Sequence, residues 1–372
     1  MSSATSRTRD NLAQVIRADR LRRGLTQQQF AALIGVSQPE VARWESGRIR
    51  EISVHTRELL ADAGIDRALL GIHGYSFEKI SADLQAVREI TNKVGNLRLA
   101  LAVLDPPLAW LESRWHSSAY QAGQAETELM AGMSLAKAVI LTLISIDTNT
   151  ATPFLELAEF AYHRIHDDVR RWDGLSETLI LGGNQNRKRG RLEDAAGDLA
   201  KAAEFAGQAN FNVRQAEALG LQAYVRAELG DRRTCLRIIE AGQVAFDRPT
   251  DARSSTNAGG FNLASFEEIR LRCELLAGST ADCVRAARQV MLPNGMTSPW
   301  QIFYANTAGG LLARIRDPGC LHWFELALNA AIAHSLPEQL MRTAHFLAAV
   351  PGRESEQLTE RANLAFDEMT KG

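Results

Sequence analysis

The sequence predicts an all-α protein in which an N-terminal domain of five short helices precedes a long solenoid of helix pairs. Apolar residues recur at helical spacing through most of the 372 residues, Ala and Leu dominate these segments, and hardly any stretch alternates as a strand does. The length favours two or more domains. We place the domains at residues 8–67 and 97–372, joined by a linker and a connecting helix over 68–96.

Composition predicts a soluble cytoplasmic protein without a membrane span. The longest apolar run, "AVILTLISI", is far shorter than the roughly 20 residues that a transmembrane helix needs, and the N-terminus is polar. The four cysteines are widely spaced without a C-x-x-C pair, which argues against a zinc site or a disulfide framework. We expect them to be buried free thiols.

Charge is distributed unevenly along the chain. Residues 7–50 hold nine arginines against four acidic residues, a net charge of +5, whereas the whole chain carries −2. This asymmetry indicates a basic surface near the N-terminus that suits an acidic partner, although a solvated basic face explains it equally well.

Two short helices are predicted close together in this basic region. Thr26 with Gln29 three residues later has the form of a capping box, and so does Ser37 with Glu40. Gly35 lies where a tight turn would end the first of them.

The small core around these helices follows from apolar spacing. A preceding helix that ends at Gly24 would bury one apolar side. The residues at helical spacing in that preceding helix are Leu12, Val15, Ile16 and Leu21, and those expected to fill the core are Phe30, Leu33, Ile34, Val36, Val41 and Trp44.

Two short helices joined by a glycine turn form the helix-turn-helix arrangement, in which the second helix enters the major groove of DNA and the start of the first meets the phosphate backbone. The segment "LRRGLTQQQFAALIGVSQPEVARWESGR" resembles the lambda-repressor-like (Xre) domains of bacterial and phage regulators, over about residues 11–65. The resemblance implies that base edges face Gln38, Pro39 and Arg43. It implies backbone contacts for Thr26, Gln27, Ser37, Arg48 and Arg50.

Arg43 has three possible partners. Its guanidinium can fork onto a guanine, which contributes about 1–3 kcal/mol of base discrimination, or it can pair with a phosphate or with Glu40 one turn back. Pro39 departs from the glutamine that is frequent at its position and removes a hydrogen-bonding side chain. The resemblance also implies that Arg20 and Glu45 form a structural ion pair.

Three segments after residue 188 share a loose pattern. Each has a glycine, a small residue five positions later and then a helical run. The pairs are Gly190 with Ala195, Gly230 with Cys235, and Gly278 with Cys283. Seven positions further on stand Ala202, Gly242 and Val290. Small residues let helices approach closely, and the pattern resembles tetratricopeptide-like helix pairs with longer spacings.

A helix-turn-helix reader followed by such repeats resembles the peptide-pheromone receptors of the Rap, Rgg and PlcR kind and actinobacterial regulators of similar layout. In the former, the concave face of the repeats holds the signal. The resemblance implies that the inner helices present Asn184, Arg187, Tyr224, Glu268 and Arg272 to a ligand, with the amides of Asn262 and Asn306 as further candidates. Other roles stay open: a helix surface for Arg187, core packing for Tyr224 and a loop cap for Asn262.

The sequence contains no catalytic constellation, so we expect neither an enzyme nor a cofactor. "HRIHDD" at 163–168 comes nearest to a metal site, because His163 and Asp167 would share a helix face if one helix held both. A solvated helix end explains the same residues.

Two functions follow from the predicted domains. The first is a sequence-specific transcriptional regulator that binds double-stranded DNA as a homodimer and whose repeats bind a small-molecule or peptide signal. The second is a DNA-tethered scaffold whose repeats bind a partner protein without a small ligand. An enzyme with a DNA-binding appendix, a third possibility, lacks a catalytic constellation.

Overall fold

The computed structural model describes residue 13 and residues 16–46, 54–65, 77–92, 96–115, 123–248, 261–290 and 299–371. Within these ranges the chain is helical and contains no strand, which confirms the predicted all-α fold. The contacts predicted for Arg48 and Arg50, and the turn-rich part of the linker, lie outside the described residues.

The helices follow one another with short connections. The N-terminal region contains α1 (residues 16–22), α2 (Gln27–Ile34), α3 (Gln38–Glu45), α4 (Val54–Asp62), α5 (Phe77–Asn92) and α6 (Leu97–Trp115). The central region contains α7 (Gln124–Ile144), α8 (Thr152–Tyr162), α9 (Asp168–Lys188), α10 (Leu192–Gln208), α11 (Asn212–Glu228) and α12 (Arg232–Phe246). The C-terminal region contains α13 (Leu263–Ala277), α14 (Thr280–Ala287), α15 (Pro299–Arg314), α16 (Cys320–Ala333), α17 (Pro337–Leu347) and α18 (Arg353–Lys371).

The chain folds into two compact units. The described residues of 1–80 and 106–122 form the first, and those of 81–105 and 123–372 form the second. The domain limits drawn from the sequence stay a prediction.

The small core of the first unit is built mainly from α2 and α3. Phe30, Ile34, Val41 and Trp44 are buried, as predicted, and pack with Ile16, Ala31, Leu60 and Ile65. Val36 is partly buried against the same cluster. These contacts leave the opposite side of α3 free of core packing.

Leu33, which was expected in this core, is 52% exposed. Leu21, which fits the helical spacing of α1, is 57% exposed. Phe30, Ala31 and Ile34 form the buried stripe of α2. Successive residues of a helix are about 100° apart, so Leu33 lies about 100° around the helix axis from the middle of that stripe. Helical spacing alone therefore placed it wrongly.

In the second unit, consecutive helices pack against each other. Connections of three residues, at 189–191, 209–211 and 229–231, join α9 to α10, α10 to α11 and α11 to α12, and each of these pairs is in contact. Such short connections are typical of antiparallel neighbours. This region is consistent with an α-solenoid, and its tetratricopeptide-like character stays a prediction.

The aligned glycines do not all have the same conformation. Gly190 and Gly230 adopt φ values of 75° and 77°, a left-handed conformation that favours glycine. Gly278 instead has φ −71° at the end of α13, so the third segment turns differently. It is followed by Ser279, which caps α14 through Asp282.

The small residues of the pattern lie where helices approach closely. Ala195, Ala202, Cys235 and Cys283 are buried. A Cβ on Gly242 would come within 2.9 Å of the Phe266 ring. Small residues were expected at these positions because they let helices approach closely, and these contacts agree with that expectation.

Helix α7 is long and apolar enough to cross a membrane by length and composition alone. In its most apolar window, 61% of the residues are buried inside the protein. Its buried surface includes the polar residues Glu126, Thr127 and Ser134 as well as Met130 and Met133. Helix α7, which contains the run "AVILTLISI", is therefore packed as a core helix.

Candidate DNA-binding and ligand-binding sites

The start of α2 is fixed by a complete capping box. The hydroxyl of Thr26 accepts a hydrogen bond from the Gln29 N–H at 3.2 Å, and the Gln29 carbonyl oxygen Oε1 accepts one from the Thr26 N–H at 2.9 Å. The first N–H groups of an α-helix have no acceptor within the helix, and they carry the positive end of its dipole. The exposed start of α2 can therefore receive a phosphate oxygen.

The start of α3 is fixed by Ser37 and Glu40. Oε2 of Glu40 accepts hydrogen bonds from the Ser37 N–H at 3.0 Å and from its hydroxyl at 2.7 Å. Those two bonds from Ser37 lower the pKa of Glu40. The Ser37 hydroxyl is thus engaged beside a carboxylate, so a phosphate contact through it requires this bond to open.

The outer face of α3 carries the three residues predicted to read bases. Gln38, Pro39 and Arg43 are all exposed; Pro39 and Arg43 lie opposite the buried Val41 and Trp44, and Gln38 lies beside them at the first residue of the helix. Nε of Arg43 donates to the Pro39 carbonyl oxygen at 3.2 Å.

The rest of the Arg43 guanidinium is available to a ligand. Its terminal nitrogens have no hydrogen-bond partner in the part of the chain that the structure describes, and the ion pair with Glu40 that the sequence allowed is absent there. Helix α3 therefore offers an amide, a ring and a guanidinium on one short exposed face.

A buried hydrogen-bond hub positions α2 and α3 together. Arg20 on α1 donates to Glu45 on α3 through Nε at 2.6 Å and Nη2 at 3.0 Å, which is the pair that the resemblance implied. Nε2 of Gln27 on α2 also donates to Glu45, at 2.9 Å. The sequence did not predict this last bond, because nothing local links positions 27 and 45.

The same hub sets the charge of Glu45. Burial alone would raise the pKa of Glu45, but the hydrogen bonds from Arg20 and Gln27, together with the charge of Arg20, lower it. The charged Glu45 carboxylate therefore holds the Gln27 side chain at the start of α2. The resemblance implied that Gln27 contacts the DNA backbone.

The inner helices of the second unit bring several ligand candidates together. Arg187 donates from Nε to Asn184 Oδ1 at 3.2 Å and from Nη1 to Glu228 Oε1 at 3.0 Å. Its guanidinium lies 5.0 Å from the centre of the Tyr224 ring. Asn184, Arg187 and Tyr224 thus form one cluster between α9 and α11.

The cluster continues on α13. Arg272 lies 4.7 Å from the centre of the same Tyr224 ring and makes two hydrogen bonds of 2.6 Å to the carboxylate of Glu268. Glu268 is fully buried. The structure therefore joins the five first-ranked ligand candidates through contacts centred on Tyr224.

Two members of this cluster were missed by sequence reasoning. Thr307 on α15 donates to Oε1 of Glu268 at 2.6 Å, and Arg342 on α17 donates to the Thr307 hydroxyl at 2.6 Å. Neither residue belongs to a motif, and both reach Glu268 only because α13, α15 and α17 pack together.

The two remaining ligand candidates, Asn262 and Asn306, make hydrogen bonds within the protein. Asn262 caps α13, accepting from the Ser265 N–H at 3.1 Å, which is the loop-cap role that the sequence left open. Asn306 is fully buried and bonded to Gln339 at 3.3 Å and Thr343 at 2.7 Å. The Asn306 amide is thus engaged inside the core, whereas Asn262 is exposed at the start of α13 and its role toward a ligand stays a prediction.

The "HRIHDD" segment is a helix boundary. Helix α8 ends at Tyr162, and Asp167 caps the start of α9 by accepting from the Arg170 N–H at 3.0 Å. His163 and Asp167 therefore share no helix face, and the segment is the helix end that was the alternative explanation of these residues. Among the described residues, no group of three or more His, Cys, Asp or Glu side chains is arranged to hold a metal ion.

Comparison with known proteins identifies the N-terminal part of the chain. The chain has no match among curated proteins or among solved structures. Residues 16–63 match the family model described as Helix-turn-helix. The match spans α1 to α4 and includes the Arg20–Glu45 pair and the exposed face of α3. The chain thus carries a helix-turn-helix domain of the Xre type at residues 16–63, which indicates a DNA-binding transcriptional regulator.

Proposed function

We propose that the protein is a sequence-specific regulator that places α3 in the major groove of double-stranded DNA. The observation that carries the proposal is that Gln38, Pro39 and Arg43 of α3 are exposed while Val41 and Trp44 of the same helix are buried in the core. An α-helix fits the major groove, where each base pair presents a distinct pattern of donors and acceptors. The unpartnered terminal nitrogens of Arg43 match the O6 and N7 acceptors of guanine.

Contacts to the DNA backbone complete the interface. We propose that the start of α2, with Thr26 and Gln27, receives a phosphate, because its free N–H groups and the helix dipole favour an anion. Ser37 contributes once its hydroxyl leaves Glu40. Arg48 and Arg50 supply the remaining cationic contacts in this proposal.

The second unit is proposed to sense a signal. Asn184, Arg187, Tyr224, Glu268 and Arg272 form one cluster, which supports a ligand site on the inner helices. A ligand changes DNA binding only if it binds the DNA-competent state with a different affinity from the other state. We propose that the protein works in the cytoplasm as a homodimer and has no enzymatic role.

Selection of bound sequences from a random duplex pool tests the function. The full-length protein should enrich a defined sequence and bind it about 10³-fold or more tightly than random duplex at fixed salt. A homodimer should enrich two half-sites separated by about 34 Å or a multiple of it, which is one turn of DNA. Equal affinity for selected and random duplex would exclude a sequence-specific regulator.

A further inference from the structure

The inner helices of the second unit form an arc that closes on itself. Contacts link α9 to α11, α11 to α13, α13 to α15 and α15 to α17. The arc is then bridged from its last helix to its first, because Nζ of Lys188 on α9 lies 2.5 Å from Oε2 of Glu338 on α17. Side chains on the inside of this arc therefore face one another at short range.

A layer of stacked side chains fills part of that interior. The Tyr224 ring has the Arg187 guanidinium 5.0 Å from its centre and the Arg272 guanidinium 4.7 Å from it. Planar guanidinium groups stack on aromatic rings, and in that position their N–H groups can still donate hydrogen bonds to anions beside the ring. The ring holds the two cations close together, while their negative charge comes from Glu228 beside Arg187 and Glu268 beside Arg272.

Positive charge exceeds negative charge in this cluster. Four cations, Arg187, Lys188, Arg272 and Arg342, face three carboxylates, Glu228, Glu268 and Glu338. Arg187 and Lys188 each have a carboxylate of their own. Arg272 and Arg342 share Glu268, which lies 2.6 Å from Arg272 but 3.7 Å from Arg342.

Arg342 is the cation whose charge is least compensated. Its side chain is only 21% exposed. Burial and then the nearby charge of Arg272 lower the pKa of Arg342 to about 10. Within the described residues, its Nη2 donates to Thr307, while Nε and Nη1 have no hydrogen-bond partner. A half-buried guanidinium with free donors and a shared counter-ion attracts an anion.

We propose that this cluster binds the oxyanion group, carboxylate or phosphate, of a small ligand, with Arg342 and Arg272 as its main contacts. The inference rests on the proposed sensing role and names the chemistry of the signal. An oxyanion would supply the missing negative charge and accept two parallel bonds from a guanidinium fork. The contacts that the lining side chains make across the closed arc favour a small molecule over a polypeptide.

Thermal unfolding of the full-length protein tests the proposal with inorganic phosphate and succinate as probes. Each probe is compared with sodium chloride at the same ionic strength, which separates binding from screening. We expect at least one probe to raise the Tm by about 2 °C or more when it is present well above its dissociation constant. A shift by phosphate alone assigns a phosphate group, and a shift by succinate alone assigns a carboxylate.

Variants then locate the bound probe. Arg342→Gln should abolish the Tm shift, because it removes one of the two main contacts to the oxyanion. The fold should be retained, because Glu268 keeps Arg272 as its partner. Arg342→Lys keeps the charge without the fork and should retain part of the shift. Arg361→Gln is the matched control, since Arg361 is an exposed arginine on α18 that bonds Asn329 at 2.6 Å; it should shift as the wild type does.

The outcomes separate this proposal from the proposed function. If neither probe raises the Tm while the protein still binds its selected duplex, the oxyanion site is refuted and the regulator stands. If a probe binds through Arg342 but no duplex is preferred, the site stands and the regulator fails. An equal shift in wild type and Arg342→Gln refutes the site, and titration calorimetry of the wild type decides the case if Arg342→Gln does not fold.

Discussion

Arg20 and Glu45 form a two-pronged ion pair that joins α1 to the end of α3, with N–O distances of 2.6 and 3.0 Å. Only 11% of the Arg20 side chain and 5% of the Glu45 side chain are exposed. Nη1 of Arg20 also donates to the Leu25 carbonyl at 2.8 Å, and Gln27 bonds the same carboxylate. The pair therefore fixes the connection before α2 and the position of α3 together.

Glu45→Gln should loosen α2 and α3. The substitution leaves the Arg20 cation buried without its counter-charge, and breaking a buried ion pair costs about 3–5 kcal/mol. We expect the backbone amides of α2 and α3 to exchange with solvent at least about tenfold faster in hydrogen-exchange mass spectrometry.

Arg22 on α1 provides the control. Its side chain is 74% exposed and pairs with Asp19, which also pairs with Arg23 at 2.7 Å. Removing the exposed Arg22 charge therefore leaves Asp19 with a counter-charge, and exposed charges contribute little to stability. Arg22→Gln should leave exchange in α2 and α3 almost unchanged, and equal acceleration in both variants would show that the buried pair has no special role.

Gln27→Ala should weaken DNA binding without changing base preference. The substitution removes a side chain at the start of α2 that Glu45 holds in place, and phosphate contacts carry no direct sequence information. We expect affinity for selected and mismatched duplexes to fall by about the same factor, roughly 3- to 10-fold. Fluorescence anisotropy at constant salt measures both, and a loss confined to one base position would contradict a backbone role.

Gly174→Ala should destabilise the packing of α8 on α9. A Cβ at this position would lie 2.0 Å from Cε1 of the Tyr162 ring, so one of the two helices has to move. We expect the free energy of unfolding to fall by about 2 kcal/mol or more, seen as a lower Tm in calorimetry.

Gly182 on the same helix is the matched control. A Cβ there would have no heavy atom within 4 Å. Because alanine favours a helix interior over glycine, Gly182→Ala should raise the free energy of unfolding by about 0.5–1 kcal/mol. A similar fall in Tm for both variants would mean that the contact with Tyr162 is not what decides the effect.

Glu217 should make stability depend on pH. It lies on α11 beside Arg214, with Asp173 and Glu177 of α9 around the same guanidinium. Burial raises the pKa of Glu217 to about 7, with Arg214 opposing the shift and the other carboxylates adding to it. The folded protein thus binds a proton that an unfolded glutamate releases above its ordinary pKa of about 4.5.

This proton decides whether stability rises or falls with pH. Because the folded state binds it more tightly, this contribution to stability is complete below pH 4.5 and is lost as the pH rises towards 7. Glu217→Gln should remove this part of the slope in a plot of Tm against pH from 5 to 8. Glu240→Gln, on the exposed side of α12, should keep the wild-type slope; equal slopes in all three proteins would contradict the assignment.

The parts of the molecule that sequence predicts are those set by local chemistry or by a specific motif. The capping boxes at Thr26 and Ser37 depend on residues three positions apart, so they are visible in the letters alone. The Arg20–Glu45 pair spans 25 positions, and only the family resemblance revealed it.

The features that the sequence did not predict depend on tertiary packing. Leu33 fits an apolar pattern, yet the neighbours that would cover it are absent among the described residues, and it is exposed. Arg342 and Thr307 have no motif, and they join Glu268 only when three helices meet. Asn262, in contrast, has Ser265 three residues later, a local signal that favours its observed cap over a ligand contact.

Chemical protection of guanine N7 tests whether α3 reads the major groove through Arg43. Dimethyl sulfate methylates N7 in the major groove, so wild-type protein on its selected duplex should protect a guanine in each half-site. Arg43→Ala should lose that protection and relax the base preference at the same position by about 1–3 kcal/mol. Unchanged protection in Arg43→Ala, or uniform weakening on every sequence, would contradict the account.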